Sequence, residues 1–371
     1  MPSTNPFRSI KPILRAEKLF SMVNDNTMKT SVRGTSEHVH PLQRNRKKEA
    51  ARIELLSKEL RNRLFHIVEA FPSLDAETIT GFYLEILDIS FRLDEVKKTL
   101  GSVSGAAKVI WKIKREHIGD VWHAKTVLAT KDIRRAAFGR MKSVIIKLDS
   151  RFKYLESIRV RMRGMPGIDL DQPTICIAGY PNVGKSSLVN IVTSATPEIG
   201  AYPFTTKEVT LGHLKIPIYT SRTSKRPISQ IIVQIVDTPG ILDRSLEDRN
   251  KIELRAIAAL KNLASAIVFI FDFTQQDALD SQRNLLHQIL QNFRDIPLLL
   301  IWGKEDLLEK NQKERIEAFH QQYFPEIEKH FLSMSDKNEA SKLLIDFFKQ
   351  NQDQIQTIHN KRKSFSVGVA E

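Results

Sequence analysis

The sequence predicts an α/β domain, a mostly parallel sheet with helices on both faces, preceded by an all-α helical bundle. Three observations carry that prediction. From Thr174 onward, short apolar runs alternate with helical stretches, as parallel strands joined by crossover helices require. Ahead of Gly164, apolar residues recur instead at three- and four-residue steps. Between the first apolar run and the helix after it lies Gly179-Tyr180-Pro181-Asn182-Val183-Gly184-Lys185-Ser186, a G-x-x-x-x-G-K-S loop in its proper context.

In chain order, Ile13 to Val23 reads as a short helix, and Asp25 to His40 is polar and aperiodic. A long helix is expected from about Leu42 to Ala70. Ile53, Leu56, Leu60, Leu64 and Ile67 form its apolar stripe, and Pro72 follows its end. Phe82 to Leu100 reads as a second helix stopped by Gly101, and Gly105 to Ile118 as a third. A fourth is expected from Lys125 into Arg163, with Phe138, Met141, Ile145, Leu148, Phe152 and Leu155 on one face. The short connections favour antiparallel packing. Gly164-Met165-Pro166-Gly167 reads as a hinge, so the expected domains are 1–167 and 168–371. Strands are expected at Thr174–Ala178, Val209–Leu214, Ile231–Val236, Ala266–Phe271, Leu298–Trp302 and His330–Leu332. Glu339 to Lys349 closes the domain as a helix, followed by a short basic tail at Lys361-Arg362-Lys363.

The motifs point to nucleotide chemistry. Backbone N–H groups of the loop from Gly179 through Ser187 would cradle phosphates at a helix N-terminus. Lys185 would reach the β- and γ-phosphates, and Ser186 would hold Mg²⁺. Four further stations follow in the order a GTPase needs. Phe204, Thr205 and Thr206 lie in a switch-like segment that offers a threonine to the metal. Asp237-Thr238-Pro239-Gly240 ends an apolar strand, with Asp237 on the metal and the Gly240 N–H on the γ-phosphate. Lys304 and Asp306 form a Lys-x-Asp after a buried strand, and the carboxylate can read the guanine edge. Ser333 and Met334 belong to a loop that closes over the base. The domain is thus expected to be a P-loop GTPase, with Lys185, Thr206 and Gly240 nearest the chemistry. Gly303 stands where the guanine loop usually carries Asn, so weaker nucleotide binding is expected.

Charge is divided unequally. Residues 1–167 hold 33 Lys and Arg against 18 Asp and Glu, a net of +15, while residues 168–371 are close to neutral at −1. An excess of that size favours a polyanion, with RNA the leading class. Arg44, Arg46, Lys47 and Lys48, then Lys112, Lys114 and Arg115, then Arg134 and Arg135 are the candidate contacts. They lie on helices whose opposite faces are apolar, so they are expected to stay exposed. The single Cys176 reads as a core residue and excludes a disulfide framework. No apolar run approaches a membrane span and no signal peptide is evident, so no membrane partner is expected.

The residues also resemble a known family. Gly179-Tyr180-Pro181-Asn182-Val183-Gly184-Lys185-Ser186-Ser187 and Tyr202-Pro203-Phe204-Thr205-Thr206-Lys207 resemble the Obg branch of GTPases. Gly212-His213-Leu214 follows at the same spacing. Asp237 to Asp243, Leu246 to Asn250 and Ile252-Glu253 are similar to the nucleolar GTP-binding protein family. Asn5-Pro6-Phe7, Ser31-Val32-Arg33-Gly34 and Phe71-Pro72-Ser73-Leu74 are similar to its N-terminal landmarks. The length resembles the short archaeal form. The resemblance implies Thr206 as the switch threonine, leaving Thr205 to pack or cap. For Asn182 it implies a K⁺ ligand in some relatives, while the residue by itself reads equally as a turn residue. It further implies maturation of the large ribosomal subunit, with rRNA and the pre-ribosomal particle as partners. The expected location is the cytoplasm for an archaeal-like protein and the nucleolus for a eukaryotic one, and the free chain is expected to be a monomer. Ile241 follows Gly240, where an apolar side chain cannot orient water, so unaided hydrolysis should be slow. That leaves a second class open, a nucleotide-gated RNA-binding scaffold with little hydrolysis.

Overall fold

The computed structural model describes residues 5–30, 40–74, 81–169, 171–194, 196–201, 208–218, 227, 229–237, 242, 257, 261 and 263–367. The chain divides into two compact units that interleave in sequence. Ser9–Leu74 and Phe91–Arg163 form one, and Met1–Arg8, Asp75–Ser90 and Gly164–Glu371 form the other.

The helical unit is built from α1 (Ala16–Lys29), α2 (Pro41–Ala70), α4 (Leu93–His123), α5 (Val127–Ile146) and α6 (Asp149–Arg163). Pro41 opens α2 at a position where its missing N–H costs nothing, and the His40 imidazole accepts from the Leu42 N–H at 3.3 Å. The α2 stripe Ile53, Leu56, Leu60 and Leu64 is wholly buried, and α2 packs along α4 and α5.

Two helix expectations are corrected. α3 (Gly81–Phe91) ends early, at Arg92, whose φ of 56° is left-handed and breaks the helix. α4 then runs straight through Gly101 and Gly105. A helical glycine costs about 1 kcal/mol. Burial of Val96, Val103, Ala107 and Ile110 on the same helix outweighs that cost. The expected fourth helix is two, α5 and α6, separated at Lys147 and Leu148. The apolar face still continues across the break, because Phe138, Met141, Ile145, Leu148, Phe152 and Leu155 are all buried.

The α/β unit contains one seven-stranded sheet in the order β2-β3-β4-β1-β5-β6-β7. Its strands are β1 (Thr174–Gly179), β2 (Glu198–Ala201), β3 (Glu208–Ile218), β4 (Ser229–Asp237), β5 (Ala266–Phe271), β6 (Leu298–Gly303) and β7 (Lys329–Leu332). β1, β4, β5, β6 and β7 run parallel, and β2 and β3 pair antiparallel at one edge. The four-residue β2 is a strand the sequence pattern did not reveal. Among the described residues, this unit also contains most of α3 and helices α7 (Lys185–Val192), α8 (Leu279–Asn292), α9 (Lys310–Tyr323), α10 (Lys337–Gln350) and α11 (Gln352–Val367).

The strands' period of two sorts the core. Ile270 and Ile301 join Leu188 and Val189 of α7 and Leu344, Phe347 and Phe348 of α10 in one cluster. On the other side, Phe271 and Trp302 stack with centroids 4.6 Å apart, and Phe319 of α9 meets them edge-on. Gly212 on β3 permits the close seating of α7, since a Cβ there would lie 2.1 Å from the Thr193 hydroxyl. Cys176 is buried on β1 as expected.

The segment read as a hinge is packed. Residues 165–168 are buried. The Asn5 amide donates to the Met165 carbonyl at 3.0 Å. The Tyr83 hydroxyl donates to the Pro166 carbonyl at 3.3 Å and accepts from the Ile168 N–H at 3.2 Å. Burial pushes that hydroxyl up to about 12. A Cβ on Gly200 of β2 would sit 2.6 Å from the Pro166 nitrogen, so β2 lies directly on this segment. Glycine and proline spacing suggested freedom here, whereas Asn5 and Tyr83, distant in sequence, hold the segment in place.

Candidate functional site

The C-terminal ends of the parallel strands all face one way, and the described residues of the phosphate loop, with Asp237 and Lys304, lie at those ends. β1 lies between β4 and β5, the point where the strand order reverses and ligands of such sheets bind. Gly179 ends β1 with φ 140°, and a Cβ on it would lie 2.5 Å from the Ile270 carbonyl oxygen, so the site requires glycine. Asn182 adopts φ 63°, a left-handed conformation that asparagine tolerates. Gly184, at φ 105°, starts α7.

Lys185 is the first residue of α7 and is almost wholly buried. Its ammonium donates to the carbonyls of Gly179 at 2.8 Å and Tyr180 at 2.9 Å, which folds the side chain back over the loop. Next to it, the Ser186 hydroxyl donates to the Asp237 carboxylate. Asp237 is the last residue of β4, lies in register with Ile177 of β1 and is fully buried. Two residues predicted as Mg²⁺ ligands from separate motifs are therefore in direct contact. A hydroxyl and a carboxylate are the hard oxygen donors that Mg²⁺ takes, so the donor set fits that ion. Val183 is in the core and Ser187 is exposed on α7. Phe204, Thr205, Thr206, Gly240 and Ile241 lie outside the described residues, as do Arg222, Lys225 and Arg226 of the long β3–β4 connection.

The guanine side is built differently. β6 ends at Gly303, Lys304 is left-handed at φ 59°, and Asp306 sits exposed in a single 3₁₀ turn, Glu305–Leu307. The Lys304 ammonium bonds the Asp272 carboxylate at 2.7 Å. Asp272 follows β5 and is fully buried. It also accepts from the Thr274 N–H at 2.9 Å, the Thr274 hydroxyl at 2.6 Å and the Gln275 amide at 2.8 Å. Burial alone would raise this carboxyl, but the hydrogen bonds from Lys304, Thr274 and Gln275 outweigh it and hold it below the usual carboxylate range. The same Gln275 amide lies 3.3 Å from the Pro181 carbonyl, so the network joins the Lys304 loop to the Gly179–Ser187 loop. Sequence reasoning missed Asp272. Its one signal was a carboxylate directly after an apolar strand, the position Asp237 also holds.

Gly303 proves to be closely surrounded. A Cβ there would lie 3.0 Å from Ile270 Cγ2, 3.1 Å from Met334 Cε and 3.5 Å from the Val183 carbonyl oxygen. Met334 also lies against Gly184, where a Cβ would meet its Cγ at 3.2 Å. The methionine therefore spans from the phosphate loop to Gly303 and occupies space beside the missing side chain. Ser333 supports the turn beneath it, since its carbonyl accepts from the Asp336 N–H at 3.2 Å.

The basic clusters of the helical unit separate into exposed and engaged groups. Lys47, Lys48, Lys112 and Arg115 are exposed. Arg135 is exposed beside Asp132, and Lys114 bonds Glu54 at 3.1 Å. Arg44 is half-buried. Arg46 is half-buried as well, and its guanidinium donates to the Ala124 carbonyl at 2.7 Å. Arg134 departs from the expectation of exposure. Its guanidinium pairs with the buried Glu49 at 2.6 Å and lies over the Phe138 ring at 5.2 Å. An acid buried between helices needs a cation, and Arg134 and Arg52 supply it.

Both parts of the chain match known protein families. Residues 7–169 match the family described as the NOG1 N-terminal helical domain, and residues 174–304 match the family described as a 50S ribosome-binding GTPase. A nucleolar GTP-binding protein 1 of Caenorhabditis elegans is 34% identical over 312 residues, 83% of this chain and 43% of that protein. An uncharacterized protein of Methanocaldococcus jannaschii is 30% identical over 310 residues, 83% of each chain. The chain thus spans less than half the length of the eukaryotic relative but most of the archaeal one. A crystal structure titled as a nucleolar GTP-binding protein 1 of Plasmodium falciparum is 27% identical, covering 54% of this chain and 99% of that one, with a TM-score of 0.39. No described helix is long and apolar enough to cross a membrane.

Proposed function

The chain belongs to the nucleolar GTP-binding protein family, and from that premise we propose that it binds GTP, hydrolyses it to GDP and phosphate, and acts as a switch on the pre-ribosomal large subunit. The observation that carries this reading is the contact between Ser186 and Asp237, made beside the buried Lys185 at the end of β1. Ser186, Asp237 and Thr206 are the residues that would hold Mg²⁺, which when bound neutralises charge on the β- and γ-phosphates. Lys185 is placed to exchange its loop carbonyls for phosphate oxygens. Gly179 to Ser187 supply backbone donors at the N-terminus of α7. Asp306, exposed at the mouth, offers two carboxylate oxygens to the guanine edge. Thr206 and Gly240, assigned from the motifs, would contact the γ-phosphate and lose that contact on hydrolysis.

The left-handed turn at Asn182 is compatible with either role of that residue, so K⁺ enters as a variable of the assay. The +15 charge of residues 1–167 supports ribosomal RNA as the ligand of the helical unit. Single-turnover GTP hydrolysis, with and without ribosomal particles and K⁺, tests the proposal. Slow turnover accelerated by particles is expected. Tight GTP binding with no turnover under any condition would favour the scaffold reading instead.

A further inference from the structure

Among the described residues, the strongest unexplained surface lies on α4. The chain has three tryptophans. Trp302 is fully buried in the sheet core, whereas Trp111 is 40% and Trp122 45% exposed. An exposed tryptophan leaves a large apolar ring in water, and such rings mark interaction sites. Trp111 and Trp122 are eleven residues apart. At 100° per residue they point within about 20° of each other, about 16 Å apart along the axis.

The residues that share this face have a consistent character. Lys97, Lys108 and Arg115 project within about 60° of Trp111 and are exposed. The Arg115 guanidinium lies over the Trp111 ring at 4.7 Å, which holds the ring in a defined orientation. No α4 carboxylate lies within about 60° of Trp111; the nearest, Asp94, is about 100° away in the first turn. Glu116 points away and pairs with Arg140 at 3.0 Å, and Asp120 falls on the opposite side of the helix. From Lys108 to Trp122 cations alternate with aromatic rings along one line, which matches a strand whose phosphates and bases alternate. A duplex hides its base faces, whereas a single strand exposes them for stacking.

From this arrangement we infer that the Lys97-Lys108-Trp111-Arg115-Trp122 face of α4 is a stacking platform for single-stranded RNA. The inference rests on the RNA reading of the helical unit and goes beyond it, since charge alone does not distinguish a single strand from any other polyanion. Lys108 and Arg115 contact phosphates, and Trp111 and Trp122 stack on unpaired bases.

The test is a fluorescence titration of the full chain with a 12-nucleotide oligoadenylate, an RNA duplex of the same length, and inorganic polyphosphate. Trp302 is shielded, so quenching reports on Trp111 and Trp122. The oligoadenylate should quench strongly, and polyphosphate should bind without quenching. Trp111→Leu and Trp122→Leu should each weaken oligoadenylate binding on the order of tenfold. The salt slope and the polyphosphate affinity should stay unchanged in both. Lys108→Gln should instead lower the slope by roughly 0.7. Thermal melts confirm that each variant folds. RNA binding that leaves fluorescence unchanged and is insensitive to both tryptophan variants overturns the platform while sparing the RNA reading. If those variants keep RNA affinity but lose co-sedimentation with ribosomal particles, the face belongs to a protein partner and the proposal fails. Absence of any RNA binding removes both readings.

Discussion

The two sides of the nucleotide site solve the same problem by different means. On the expected phosphate side, the described residues Gly179, Gly184, Lys185, Ser186 and Asp237 are adjacent in sequence or at a strand end, and the backbone does much of the work. Gly179 and Gly184 take conformations few other residues allow, and Lys185 and Ser186 follow directly on the helix. On the guanine side the usual asparagine is Gly303. The connection between loops runs instead through Asp272, Gln275 and Lys304, with Met334 filling space against Gly184. Where backbone geometry is required, as at Gly179, a side chain has no room. Where side chains make the link, it runs through residues from separate stretches of the chain.

The largest effect should come from the phosphate side. Lys185→Ala removes a buried cation opposite the phosphates, a loss of several kcal/mol. A nucleotide titration should show affinity falling by more than a hundredfold, and unchanged affinity would remove the distinction between the two sides. Next is Asp306→Asn, in which the amide NH₂ opposes the guanine donors. Competition between GDP and ADP should show most of the guanine preference lost.

Asp272→Asn tests the replacement tether. It leaves the Lys304 ammonium without its carboxylate and should cost about 2 kcal/mol in urea unfolding, with weaker GDP binding. The sign with pH follows from the depressed folded-state value of this carboxyl. Its contribution is present above an ordinary aspartate value of about 4 and is lost as pH falls through the lower folded value. Stability curves of the parent and Asp272→Asn should therefore converge in acid. If they stay parallel, Asp272 is not a tether.

The smallest effect sharpens the comparison most. Met334→Ala opens space beside Gly303 and should cost about 1–2 kcal/mol. Gly303→Asn alone forces a Cβ to within 3.1 Å of Met334 Cε and should also destabilise. Combined, Gly303→Asn and Met334→Ala should lose less than the sum of the two, because each relieves the other. Simple additivity in denaturant unfolding would show that Gly303 and Met334 are independent departures.

Much of this was legible beforehand, for identifiable reasons. Burial on both faces makes a parallel strand a run of apolar residues, so β1, β4, β5 and β6 could be read almost to their ends. β2 could not be read, because a four-residue edge strand is formed by its pairing with β3 and carries little pattern of its own. Gly101 does not stop α4, because the packing of α2 beside it outweighs the local penalty of a helical glycine. Arg134 and Lys48 look alike in a sequence, and only the position of Glu49 separates them.

The sequence by itself determined the main parallel strands, the phosphate-loop motif with its lysine and serine, the placing of Asp237 and Asp306 after apolar strands, and the charge of the N-terminal half. These depend on local periodicity, local backbone conformation or composition, each contained in a short stretch of chain. Only the tertiary structure decided which residues meet across distance. It brought Ser186 to Asp237, Lys304 to Asp272, Met334 to Gly303, Tyr83 to the expected hinge, and Glu49 to Arg134. Such contacts are fixed by the packing of whole elements. A buried charge or an empty space takes whatever partner that packing delivers, however far away in the chain it lies.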